Sequence, residues 1–162
     1  MVLRWLSAAA ALATAAPAGA QQVKELGIQA IGTLSDPGLA VGGVYAAWRP
    51  SARGRVSAAW ALGGSDGGLA WRGELLGHFL LAPGRTRGPG VYLAGGVAVV
   101  GGPADRGYLV LALGIENQPG GGSGWFAEAG AGGGARLSAG FRWRWFRPRP
   151  LSLSRPSAGP AG

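Results

Sequence analysis

The chain has 162 residues, 33 of them glycine, a single histidine, no cysteine and a formal charge of +8, which leaves room for one domain. Without a thiol, disulfides, thiolate metal sites and lipid attachment through cysteine are excluded. Charged residues, at 14%, are sparse for a soluble domain.

Residues 1–20, "MVLRWLSAAAALATAAPAGA", carry Arg4, a short apolar run, Pro17 and a small-residue end. That order describes a secretory signal peptide, with cleavage expected after Ala20. No later stretch has the roughly 18 uninterrupted apolar residues of a membrane helix. The exported protein is therefore expected to be either soluble or a β-barrel. Residues 21–146 are expected to form that one domain. The tail 147–162, "RPRPLSLSRPSAGPAG", is rich in Pro, Arg and Ser and is expected to be disordered.

Glycine and proline punctuate the domain at regular spacing: "SDPG" (35–38), "PSARG" (50–54), "GGSDGG" (63–68), "APGRTRGPG" (82–90), "GGPADRG" (101–107), "NQPGGGSG" (117–124) and "GGG" (132–134). Seven breaks leave eight segments. Short segments between turn signals point to an all-β sandwich or barrel.

Each segment alternates between two faces. One face carries Leu26 and Ile28, then Val44 and Trp48, then Val56, Trp60 and Leu62. It continues with Leu69, Trp71, Leu75 and Phe79, with Val91, Leu93, Val97 and Val99, and with Leu109, Leu111, Leu113 and Ile115. Trp125 follows, and then Leu137, Phe141, Trp143 and Trp145 in "ARLSAGFRWRWF". The other face is rich in Gly, Ala and Ser and holds the mid-strand charges: Glu25, Arg55, Arg72, Glu74, Glu116, Glu128, Arg136, Arg142 and Arg144.

Two barrels fit such strands. A soluble lipocalin-like barrel turns its apolar face inward around an apolar ligand. A transmembrane barrel turns that face outward into lipid. Three features favour the second. Trp48, Trp125, Trp143 and Trp145 fall near the end that holds both termini, and Trp60 and Trp71 near the other, as an aromatic girdle requires. Six tryptophans with many Leu and Val would crowd the narrow interior of an eight-stranded barrel. The charged face carries both signs, as buried charges must. The expected fold is an all-β, eight-stranded antiparallel up-and-down transmembrane β-barrel. Its lumen is expected to be plugged by a charge network of Arg55, Arg72, Glu74, Glu116, Glu128, Arg136, Arg142 and Arg144. Glu128 and Arg136 are expected to lie close across the "GGG" hairpin, Glu25 near the rim, and a serine at Gly114 to be tolerated.

The segmented chain, the leader and the aromatic end "FRWRWF" resemble the small eight-stranded outer-membrane barrels of the OmpA and OmpX kind over residues 23–146. The resemblance implies a bacterial outer-membrane location. It also implies a last strand read by the assembly machinery through its aromatic end. Residues 147–162, which follow that end, are a departure from the family, and so are the short loops on the outer side. Short loops argue against roles that work through long outer loops, such as adhesion.

Chemistry is thinly represented. His78 shares the lumen face with Glu74, but four residues along a strand separate them by roughly 13 Å, too far for a hydrogen bond. No serine lies nearby in the same strand, so the lipid-modifying barrel enzyme, which would use such a set, is the weaker reading. One histidine and no cysteine disfavour a metal. "GGSDGG" and "NQPGGGSG" are not phosphate loops, because no helix with Lys-Ser/Thr follows. Export argues against nucleic acid as the partner of the basic residues. Arginines of the basic turns cluster at the terminal end (Arg49, Arg53, Arg55, Arg85, Arg87, Arg147, Arg149 and Arg155), while Asp36, Asp66 and Asp105 fall at the other, with Arg106 the exception. The expected protein is a non-catalytic, monomeric outer-membrane barrel without cofactors, in contact with outer-membrane lipid and the assembly machinery, and closed to ions.

Overall fold

Alternating segments can satisfy their backbone polar groups inside a membrane only by pairing all the way round. The computed structural model describes residues 23–35, 38–103 and 105–146. The expected signal peptide and tail, with Asp36, Arg147, Arg149 and Arg155, lie outside the described residues. Eight strands follow in order: β1 (Val23–Leu34), β2 (Leu39–Arg49), β3 (Gly54–Ser65), β4 (Gly68–Leu80), β5 (Pro89–Gly101), β6 (Arg106–Asn117), β7 (Ser123–Ala131) and β8 (Ala135–Phe146). Each pairs antiparallel with the next. β8 returns to β1 in a ladder from Val23↔Phe146 to Leu34↔Ala135, which closes the barrel.

One of the turn signals is narrower than its glycines suggest. In "GGSDGG" the strands run on through Gly63 and Gly64, which pair with Ala70 and Leu69. Only Asp66 and Gly67 turn the chain, with Gly68 beside them at φ 129°. Gly63 belongs to the ladder because a Cβ there would run into the Ala40 carbonyl of β2. It serves close approach of two strands, not a loop.

Burial is inverted relative to a soluble domain. Leu109 is 83% exposed and Leu111 69%, whereas Arg72 and Arg142 are fully buried. Every strand alternates between exposed and buried residues, with the large apolar side chains mostly exposed and all the buried charges on the inner face, beside smaller apolar clusters such as Ile31, Leu39 and Val41. Trp48, Trp125, Trp143 and Trp145 stand exposed toward the terminal end, with Phe79 and Phe146. The placement of Trp60 differs from the sequence expectation. It lies at the middle of β3, opposite Val44 at the middle of β2, so it stands at mid-height among aliphatic side chains. Trp71, four residues into β4 and paired with Gly101 at the end of β5, lies near the far end. The aromatic ring is therefore dense at one end and thin at the other. Counting residues from a break misplaced Trp60, because β3 runs on through Gly63 and Gly64 to Ser65.

The lumen is packed, with rings seated on glycines. The Tyr92 ring lies where a Cβ at Gly114 would be, and Phe126 lies likewise on Gly140. Gly114 is thus a lumen position, as the alternation requires, but not a permissive one. A serine there would collide with Tyr92, which corrects the expectation of tolerance.

Candidate functional site

The interior charges gather into two clusters along the barrel axis. In the terminal half, Glu25 and Glu116 are the acids. Glu25 Oε1 accepts from Arg49 Nε at 2.6 Å, and its carboxylate lies 3.4–3.8 Å from nitrogens of Arg142, Arg144 and Arg55. Glu116 Oε2 accepts from Arg144 Nη2 at 2.9 Å, from Arg55 Nη1 at 3.1 Å and from Arg142 Nη2. Arg49 Nη2 stands 3.7 Å from the same oxygen. Four guanidinium groups thus share two carboxylates.

In the far half, Glu74 and Glu128 are the acids. Arg136 grips Glu74 through Nε (3.0 Å) and Nη2 (2.7 Å) and reaches Glu128 through Nη1 (2.9 Å). Arg72 Nε donates to Glu74 Oε1 at 2.7 Å. Glu128 also accepts from Ser138 Oγ and Tyr92 Oη, each at 2.8 Å. Two-pronged, charge-assisted bonds of this kind are the stronger class of hydrogen bond.

Aromatic rings separate the clusters. Arg55 lies 4.6 Å over the Tyr92 ring and Arg142 4.7 Å over Phe126. Tyr45 packs on Phe126 at 5.4 Å. A guanidinium over an aromatic face gains about 2 kcal/mol or more when desolvated, so the rings help hold charges that carboxylates alone do not balance.

All eight expected lumen charges are brought into these clusters, and two further residues join them. Glu25 is 1% exposed and Arg49 4%, so neither is a solvated rim group, although both lie toward the terminal end. Arg55 is also buried, not part of a solvated turn. The missed signal was already in the alternation: Arg49 shares a face with Tyr45. Proximity to a break took precedence over that face in reading Arg49 and Glu25 as rim groups. Arg53, Arg85 and Arg87 do lie exposed at the terminal mouth.

His78 has a neighbour that same-strand reading could not find. Register sets Ser57 of β3 against Leu76 of β4, two residues from His78, and Ser57 Oγ lies 2.7 Å from His78 Nε2. The other ring nitrogen, Nδ1, faces Arg55 Nη2 at 3.1 Å. Arginine can only donate, so Nδ1 is the acceptor and the ring proton sits on Nε2. His78 therefore donates to Ser57 Oγ. A serine nucleophile needs the opposite arrangement, with the imidazole nitrogen accepting its proton. Both residues are also buried, at 3% and 5% exposure. The pair is a buried hydrogen bond on the inner face of the barrel.

The two mouths differ. At the terminal mouth, the turn 118–122 is drawn over the lumen. Arg49 Nη1 donates to the Pro119 carbonyl, and Arg144 Nη1 to those of Gln118 and Gly121, each at 3.1 Å. Gln118 takes a left-handed φ of 48° to make this turn. At the far mouth a cavity of about 490 Å³ opens above Arg72. Among the described residues, no group of three or more His, Cys, Asp and Glu is placed to hold a metal ion.

The barrel matches the crystal structure of the N-terminal β-barrel domain of Pseudomonas aeruginosa OprF with a TM-score of 0.58 at 11% sequence identity, over 75% of this chain and 97% of that one. The likeness is one of fold: a closed, eight-stranded antiparallel barrel of the OmpA-like kind. No protein-family model matches the sequence, and no curated protein matches it.

Proposed function

We propose that this protein spans the bacterial outer membrane as a small structural barrel, supporting the integrity of the membrane, closed to ions by its own side chains and without catalytic activity. The observation that carries this reading is the inversion of burial: exposed Leu, Val, Ile and Trp around a lumen of buried Arg and Glu. Only a solvent of hydrocarbon makes that arrangement favourable, since water would drive the same side chains inward. A soluble lipocalin-like carrier would need the reverse.

The fold shared with the OprF domain and the leader-like residues 1–20 support export to that membrane. The leader is cleaved after Ala20, and the assembly machinery reads the aromatic end of β8. The terminal mouth then faces the periplasm, with Arg53, Arg85 and Arg87 at the level of lipid headgroups. The protein acts as a monomer without a cofactor. Ser57 Oγ accepts the hydrogen bond from His78 Nε2–H, the reverse of a nucleophile giving its proton to a base, which supports a non-catalytic role.

The test joins fractionation with mutation. The wild type is expected in the outer-membrane fraction, with heat-modifiable migration on detergent gels. Leu111→Arg places a charge at the middle of the lipid face, at a cost of about 2–4 kcal/mol, and is expected to block insertion, whereas Leu111→Ile inserts. A wild type recovered in the soluble periplasm, or an Arg variant that inserts normally, would overturn the reading. Planar-bilayer recording is expected to show no steady current, and an open pore would refute closure.

A further inference from the structure

The far mouth contains a built cavity that structural support does not require. Its volume, about 490 Å³, lies within the range of small-molecule sites. Two charged side chains line it, Arg72 and Arg106, and both are positive. Hydroxyls come from Thr33, Ser65 and Tyr108. Leu39 and Val100 supply an apolar wall and belong to one packed cluster. Among the described residues no carboxylate lines the cavity. Asp66, at the same end, is engaged by the backbone N–H of Gly38 at 2.7 Å.

Arg72 is the informative group. It is fully buried, with Nε on Glu74 and Nη2 on the Gly132 carbonyl at 3.1 Å. Its Nη1 makes no hydrogen bond. A buried donor without an acceptor is costly, more so on a charged group. Glu74 does not relieve it: its bonds go to Nε of Arg72 and to Nε and Nη2 of Arg136. Nη1 has no accessible surface as it stands, but a small rotation of the guanidinium turns it toward the cavity that Arg72 lines, where an acceptor entering from the mouth can meet it.

We propose that this vestibule binds a small organic carboxylate, with the charged end taken by Arg72 Nη1 and Arg106 and the apolar body packed on Leu39 and Val100. One free guanidinium nitrogen cannot make the two-pronged pair that gives arginine its strongest grip on carboxylates. Recognition therefore depends on both ends of the ligand. Neither a bare anion nor a neutral molecule of the same shape satisfies the site. The inference goes beyond the structural role proposed above and holds whichever membrane carries the barrel.

The experiment is calorimetric titration of the full chain, folded in detergent micelles, with sodium benzoate. Benzamide supplies the same shape without charge, and inorganic phosphate supplies charge without an apolar body. Benzoate is expected to bind saturably at one site. Benzamide and phosphate are expected to bind at least about tenfold more weakly, the loss of one charge-assisted contact. Ser65→Trp, which fills the cavity, is expected to abolish binding, and Arg106→Ala to weaken it several-fold. Both positions lie at the mouth, away from the ion-pair clusters, and heat-modifiable migration verifies their folding. Arg72→Lys keeps the charge but removes the guanidinium donor, and is expected to weaken benzoate about tenfold. Absence of saturable benzoate binding overturns the proposal. So does equal binding of benzamide, or unchanged binding in Ser65→Trp, which would place benzoate elsewhere on the protein or in the micelle.

Discussion

The two halves of the lumen handle the same problem differently. In the terminal half, four arginines face two glutamates, and the excess charge is met by backbone carbonyls of the turn 118–122 and by ring faces. In the far half, two arginines face two glutamates. There the acids accept from a serine and a tyrosine as well, and a cavity lies above. The surplus of guanidinium groups is what draws a turn over the terminal mouth. The balanced half has no such pull, and its mouth stays open. The end that a turn crosses is thus the end with the charge surplus.

Mutation can break that comparison at its centre. Glu116→Ala removes the acceptor of three arginines at once. It is expected to cost about 3–5 kcal/mol or more, the range for stranding a buried charge, measured by urea unfolding in micelles. Glu128→Ala is expected to cost less, about 1–3 kcal/mol, because Arg136 keeps both of its bonds to Glu74. Equal losses in the two variants would show that the halves do not differ in their reliance on single acids. Glu25, with Arg49 at 2.6 Å and three more arginines around it, belongs with Glu116 and not with the mild cases.

A smaller effect sharpens the difference between the mouths. Arg144→Met frees the carbonyls of Gln118 and Gly121 and also lowers the positive surplus. Stability is expected to change little, within about 1–2 kcal/mol, but the turn loses its anchor. The readout is current in a planar bilayer: brief openings are expected in the variant and none in the wild type. An equally silent variant would assign closure to the plug alone. Gly114→Ser tests packing between the halves. Overfilling beneath Tyr92 is expected to cost about 1–3 kcal/mol, with the Tyr92–Glu128 bond weakened in turn.

The alternation of "ARLSAGFRWRWF" and its seven partner segments made the strand number, the faces and the identity of the lumen charges legible, because period two is a local property of sequence. Height along the barrel was less legible. Glu25 and Arg49 were placed at the right end but read as rim groups, although both are buried; Trp60 was misplaced along the axis, since height depends on where each strand ends and on its register with both neighbours. Ser57 beside His78 was illegible for the same reason: it depends on a cross-strand register. The collision awaiting a side chain at Gly114 depends on a ring from the next strand over. Across strands, the Glu128–Arg136 contact could be read because the short GGG hairpin fixes its register; contacts that depend on register far from a turn could not.

The ladder from Val23↔Phe146 to Leu34↔Ala135 has a kinetic consequence. It joins the first and last strands of the barrel, so the contact that completes the fold spans nearly the whole domain. Seven hairpin pairings can form between neighbours in sequence, but this one must wait for β8 to emerge and find β1. Such distant pairings are slow to form. Until that moment the sheet has two bare edges, each able to pair with another chain. The hazardous interval in the life of this protein is therefore the one before closure, and a factor that held β1 and β8 together would shorten it without stabilising the finished barrel at all.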